Sequence, residues 1–151
     1  MSDEERFLRQ AIELAYANIE KGGRPFGAVV VKDGAVIATG VNEVHATNDP
    51  TDHAEMVAIR AASRALGSAS LDGCTVYASG QPCPMCMAAM RVAGITDVAY
   101  AYSAEDGAAY GFSTAALFSP ERAMSTRHVP VRLESRPDLY ADWQRRHGKP
   151  S

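Results

Sequence analysis

Two cysteines three positions apart, in the stretch Gln81-Pro82-Cys83-Pro84-Met85-Cys86, are the first residues of this sequence that could do chemistry. Such a pair can be a redox couple, half of a metal site, or two small buried residues at a helix start. A thioredoxin-like couple normally follows the first strand of a βαβ unit, whereas this pair follows the third predicted strand. The second chemical element is His53-Ala54-Glu55, at the start of the preceding predicted helix. Imidazole and thiolate are good zinc ligands, and three protein ligands with one open position is how a catalytic zinc is held. Cys83 and Cys86, at i and i+3, can share one face of a first helical turn. A helix amino terminus also favours the thiolate that a metal needs. Glu55, taken alone, is a first-turn glutamate that suits the helix dipole. Beside a ligand histidine it becomes a carboxylate that can reach a water on the metal without ligating the metal.

Two helix starts, each preceded by a loop, could therefore point their first turns at one ion, and on that reading the rest of the chain has to put them there. Apolar residues at Phe7, Leu8, Ala11, Ile12, Ala15 and Ile19 form a helical stripe over residues 4–20, stopped by Gly22-Gly23. Two β-rich runs, Phe26 to Val31 and Ala35 to Val41, flank Asp33-Gly34, a strong hairpin signal. Both runs are largely apolar, so the hairpin is expected to be covered on both faces. Residues 42–52 are polar and turn-rich and predict a loop. A helix is predicted from Ala54 to Leu66, a third strand from Thr75 to Ala78, a helix from Met85 to Ala93, and a fourth strand from Val98 to Tyr102. Residues 103–127 are irregular with room for a short helix. Val129 to Leu133 predicts a fifth strand, and a last helix is expected over Leu139 to Arg146. This order predicts an α/β fold, a three-layer α/β/α sandwich around a mixed five-stranded sheet, with an antiparallel first hairpin and parallel pairing through right-handed crossovers.

The length of 151 residues, with no linker or internal repeat, predicts one domain spanning 1–151. A net charge of -3 and a pI near 5.8 argue against a polyanionic partner such as nucleic acid, which needs clustered Lys and Arg. No apolar run approaches the ~20 residues of a bilayer span. The amino terminus MSDEERFLRQ is acidic and unlike a secretory signal, so the expected location is the cytoplasm, where three cysteines would stay reduced.

His53-Ala54-Glu55 followed by Pro82-Cys83-Pro84-Met85-Cys86 resembles the H-x-E…P-C-x-x-C signature of zinc nucleobase deaminases. Pro25-Phe26-Gly27-Ala28-Val29, Asn42 and Thr47-Asn48-Asp49-Pro50-Thr51-Asp52 extend the likeness to bacterial guanine deaminases of the cytidine deaminase superfamily. The resemblance runs from about residue 5 to Tyr110, and more thinly around Trp143. It implies the cytidine deaminase-like fold and one Zn²⁺ per chain on His53, Cys83 and Cys86. It implies a water in the fourth place and Glu55 as the proton shuttle. The expected reaction is hydrolysis of an aminated, guanine-like base with release of ammonia. It further implies that Asn42 bonds the edge of a flat base, that Phe26 stacks on it and that the Ala54 N–H faces the pocket. Tyr110, Phe112, Tyr140 and Trp143 are candidates to close a lid, Trp143 as a substrate contact. The implied partners are a small heterocyclic base and a second copy of the chain.

The sequence also departs from that family. An aromatic residue is common where this chain has Val92, an acid where it has Gly111-Phe112-Ser113-Thr114, a terminal tyrosine where it has Lys149-Pro150-Ser151, and a glutamate where it has Gln81. Ser113 or Thr114 could accept a hydrogen bond in place of the acid, or Asp106 could supply one from a nearby turn. Competing functions are a cytosine-type small-base deaminase, a tRNA adenosine deaminase with a nearly identical Asn-Asp-Pro-Thr run, and a structural zinc module that is not an enzyme. Cys74 is expected to be a small buried residue, and His45, His128 and His147 lack partners at ligand spacing.

Overall fold

Ser2 opens the first helix by accepting the Glu5 amide on its hydroxyl at 3.1 Å, ahead of an acidic first turn that suits the helix dipole. In the computed structural model, which describes residues 1–148, α1 runs Asp3–Glu20 and buries Phe7, Ala11, Ala15 and Asn18. The predicted stripe ended on Ile19, but Ile19 is 47% exposed and Asn18 takes the inward position. Lys149-Pro150-Ser151, where the sequence lacks a terminal tyrosine, lies outside the described residues.

β1 (Gly27–Lys32) and β2 (Ala35–Val41) form the expected antiparallel hairpin, with both Asp33 and Gly34 at positive φ. That conformation matches the turn that right-twisted strands prefer. The register slips between Val30 and Val31, so the hairpin carries a bulge. β3 (Cys74–Gly80) pairs antiparallel with β1, and β4 (Asp97–Tyr102) pairs parallel with β3, giving the order β2-β1-β3-β4. The expectation that both hairpin strands are covered holds for β1 alone. β2 lies at the sheet edge and leaves Ala35, Val36 and Thr39 exposed.

Alternation along β1 builds the two cores. Val29 and Val31 face Phe7, Ala11, Leu14 and Tyr77, under α1. Ala28 and Val30 face the opposite way, onto Ala54, Ala58 and Ala62 of α3 (Ala54–Leu66) and onto Cys86 and Met90 of α4 (Pro84–Val92). Helices therefore cover both faces of one mixed sheet. The small residues of α3 let it sit very close: a Cβ at Gly40 would fall on the Ala54 carbonyl. Pro84 at the first helical position and the parallel β3–α4–β4 unit complete the frame. Residues 42–52 include a short helix, α2 (Val44–Thr47), within the predicted loop. α5 (Ala104–Ala108) fills part of the irregular stretch.

The chain divides into two compact units, Met1–Ser119 and the part from Pro120 onward. The second holds a bridge between Leu133 and Arg136 and α6 (Leu139–His147). The predicted fifth strand is absent among the described residues: Val129, Val131 and Leu133 are 66%, 70% and 60% exposed and join no ladder. Pro130, in the middle of that run, has no N–H to give to a neighbouring strand. No described helix is long and apolar enough to cross a membrane.

Candidate active site

His53 and Cys83 occupy equivalent places. Each is the extended residue just before a helix, His53 at φ -68° and ψ 156° before α3, Cys83 at φ -73° and ψ 166° before α4. Residues in that place usually cap the helix with a side-chain oxygen. Here neither side chain caps; both turn toward each other. Nδ1 of His53 lies 3.6 Å from Sγ of Cys83 and 3.6 Å from Sγ of Cys86, and the two sulfurs are 3.7 Å apart. A tetrahedral ion with bonds of about 2.3 Å to sulfur and about 2.0–2.1 Å to nitrogen sets its ligands roughly 3.6–3.8 Å apart. The donor set and its spacing both fit zinc, and these three residues are the one metal-competent cluster among the described residues.

The three side chains perturb one another's titration. A hydrogen bond from the Cys86 thiol, helped by His53, brings Cys83 down to about 4. Cys86 is pushed up in turn, first by that shared hydrogen bond and then by burial. His53 is raised by its bond to Cys83. A bound divalent cation would take the place of the proton these groups share, since thiolate and imidazole ligands bind metal only when deprotonated. Glu55, in the first turn of α3, is only 7% exposed, and burial raises its carboxyl above the usual range. The sequence's alternative of a solvated dipole-balancing glutamate is thereby set aside.

The loop into α3 is locked. The Asp52 carboxylate accepts the Arg60 guanidinium at 2.6 Å and the Thr47 hydroxyl at 2.7 Å, while its carbonyl accepts the Glu43 amide at 2.9 Å. This fastens His53 to the strand end that carries Asn42.

A cavity of ≈ 720 Å³ opens over the cluster and is lined by His53, Glu55 and Cys83 together with Asn42, Phe26 and Arg24. Asn42 is 2% exposed, and the Val44 amide donates to its side-chain oxygen at 3.1 Å, which fixes the orientation of the amide and leaves its Nδ2 protons for a ligand. The ring of Phe26 is half-buried and meets Phe112 edge-on at 5.4 Å, a favoured aromatic geometry. Ala54 is fully buried and does not line the cavity, although its amide is one of the first-turn N–H groups a helix cannot satisfy itself. Ser113 and Thr114 line the cavity wall. Asp106 does not: its carboxylate accepts the Ser103 amide at 2.8 Å in a capping box at the start of α5. The suggestion that Asp106 replaces the missing acid is thus corrected, and among the described lining residues Glu55 is the sole carboxylate. Gln81 serves the scaffold, its amide oxygen accepting the Ala104 N–H at 2.8 Å. Tyr110 is 80% exposed and lies off the cavity.

Trp143 and Tyr140 belong to α6 in the second unit, where the indole stacks on His147 at 5.2 Å. Cys74 is buried at the start of β3, as expected. Sequence reasoning missed Arg24, the Asp52–Arg60 lock and the buried Asn18. The signal for Asn18 was present: a polar residue seven positions after Ala11 and three after Ala15 falls on the buried side of the helix.

Residues 1–102 match the family profile described as the cytidine and deoxycytidylate deaminase zinc-binding region. The chain is similar to guanine deaminase of Bacillus subtilis (strain 168), 44% identical over 128 residues, which cover 83% of this chain and 82% of the relative. An X-ray structure of guanine deaminase from Bacillus subtilis superposes with a TM-score of 0.85 at 40% identity over 97% of each chain. The chain is also similar to tRNA-specific adenosine deaminase of Aquifex aeolicus (strain VF5), 42% identical over 96 residues, which are 64% of each protein.

Proposed function

We propose, for a chain that belongs to the family of the cytidine and deoxycytidylate deaminase zinc-binding region and is a zinc-binding deaminase, that its reaction is the hydrolytic removal of an exocyclic amine from a guanine-like base. The observation that carries the reading is a His/Cys/Cys cluster with its ligand atoms within 4.8 Å of one another, beside a buried carboxyl in an open cavity.

His53, Cys83 and Cys86 would hold the ion. When bound, Zn²⁺ supplies the Lewis acidity that makes water nucleophilic near neutral pH. Glu55 takes one proton of the attacking water on a carboxylate oxygen and hands it to the ring nitrogen, then takes the second from the new C–O–H and hands it to the departing amine, so that base and water become the keto base and ammonia. Burial favours this shuttle, since a carboxyl whose pKa is raised holds a transferred proton more readily than an exposed one. Phe26 offers a flat wall for the ring, and Asn42 offers N–H donors to the acceptors on its edge. The Ala54 amide and Trp143 are assigned to the substrate by resemblance.

The accompanying assignments are a single deaminase domain over residues 1–151, a small-molecule base as partner, a homodimeric assembly and a cytoplasmic location. The structural match over 97% of the chain supports the single domain, and the acidic pI near 5.8 supports a partner other than nucleic acid. A tRNA adenosine deaminase is the second reading, favoured by the 42% identity noted above. Ammonia release by zinc-loaded protein, measured across guanine, cytosine, adenine, their nucleosides and triazines, tests the proposal. Turnover of guanine above the other bases is expected. Turnover confined to a tRNA anticodon stem-loop, with binding that weakens steeply with salt, would replace it with the second reading.

A further inference from the structure

Asn18 stands near the end of α1, away from the metal cluster, and is 2% exposed. Its Nδ2 donates one hydrogen bond to the carbonyl of Arg24 and one to the carbonyl of Asn42, each at 2.8 Å. An amide nitrogen carries two protons, so both are spent. The two carbonyls belong to residues that line the same cavity but sit on different elements, one in the loop between α1 and β1, the other just past β2. The backbone closes the circle: the Asn42 amide donates to the Phe26 carbonyl at 3.2 Å, and the Gly23 amide donates to the Asn18 carbonyl at 2.9 Å. The packing over this amide is tight, since a Cβ at Gly23 would stand 2.5 Å from Asn18 Nδ2.

We propose that Asn18 is a positioning residue for substrate recognition: its two N–H bonds fix the cavity wall made by Arg24, Phe26 and Asn42. The wall it fixes is a donor wall. Asn42 presents N–H groups because its oxygen is held by Val44, and a guanidinium such as that of Arg24 has no acceptor. Two donors on one wall select heterocycles whose facing edge carries acceptors, a ring nitrogen or a keto oxygen. This rests on the reading above in which Asn42 contacts the substrate. The metal cluster and Glu55 are carried by α3 and α4, which Asn18 does not touch through these bonds. The step that should suffer without Asn18 is binding, since small misplacements of a positioning wall are expensive.

The test compares zinc-loaded Asn18→Ala with the milder Asn18→Ser, which keeps one donor. KM and kcat are read for the base the wild type deaminates, together with zinc content and hydrogen exchange at the Val44 amide. Asn18→Ala is expected to raise KM about tenfold to hundredfold, with Asn18→Ser between it and wild type. kcat and zinc content stay near wild type, and the Val44 amide exchanges faster while that of Ile59 in α3 does not change. A KM that holds in the folded variants, or a kcat and zinc content that fall while KM holds, overturns the proposal. If the wild type releases ammonia from no base, the reading of Asn42 fails, and the exchange measurement then decides alone. Unchanged Val44 protection overturns the clamp, and faster exchange confined to that wall sustains it.

Discussion

Nδ1 of His53 and Sγ of Cys83 meet at 3.6 Å although 30 residues separate them in sequence. The two groups are brought together by the helices that follow β2 and β3, the two strands that flank β1 in one sheet. Replacing any of His53, Cys83 or Cys86 should therefore cost the metal before it costs the fold. His53→Ala, Cys83→Ser and Cys86→Ser are each expected to lower bound zinc at least about tenfold, with deamination lost in parallel. Elemental analysis of dialysed protein reads the first effect, and a variant that keeps full zinc would remove that residue from the ligand set.

Glu55 behaves differently because it faces the cavity without belonging to the ligand triad. Glu55→Gln keeps the volume and removes the titratable oxygen. Zinc content and thermal midpoint should hold while kcat drops by about 10²–10⁴. Loss of zinc in this variant would make Glu55 a ligand.

Gly40 sets how closely α3 approaches the sheet, with the Ala54 carbonyl where its Cβ would stand. Gly40→Ala must push back the first turn that carries His53 and Glu55. Overpacking of this kind costs about 1–3 kcal/mol. A lower urea midpoint and a lower zinc occupancy are expected together, and an unchanged midpoint would show that the helix has slack.

Cys74 is 3% exposed, and burial pushes its thiol above the ordinary value. In the unfolded chain the thiol ionises first, so above pH ~9 the unfolded state has lost a proton that the native state retains. Stability contributed by this group is complete below that pH and is lost as pH climbs toward the raised native value, at up to about 1.4 kcal/mol per pH unit. Urea midpoints at pH 8 and pH 10 should diverge less for Cys74→Ala than for wild type. An equal divergence would mean that other groups carry the alkaline dependence.

The ligand set was legible in the sequence because each half is local: His53-Ala54-Glu55 and Cys83-Pro84-Met85-Cys86 are spacings within one helical turn. The hairpin was legible for the same reason, through Asp33-Gly34. What failed depended on neighbours distant in the chain. The run from Val129 to Leu133 has the alternation of a strand, but a strand exists only where an edge accepts it, and Pro130 removes a donor. β2 is as apolar as β1, yet its place at the edge leaves it half uncovered. Asp106 has the right charge for the missing acid but spends it on Ser103. Asn18 needed attention to a polar residue on an apolar stripe, a local irregularity whose partners, Arg24 and Asn42, only the folded chain reveals.

Both α3 and α4 begin on a residue that gives its side chain to the other helix's start instead of to its own backbone. Each forgoes a capping bond typically worth about 1 kcal/mol. The cation is then the mortar for two helix ends at once, and its supply enters the folding equilibrium directly. In a zinc-starved cell, newly made chains would fray first at the very turns that perform the reaction.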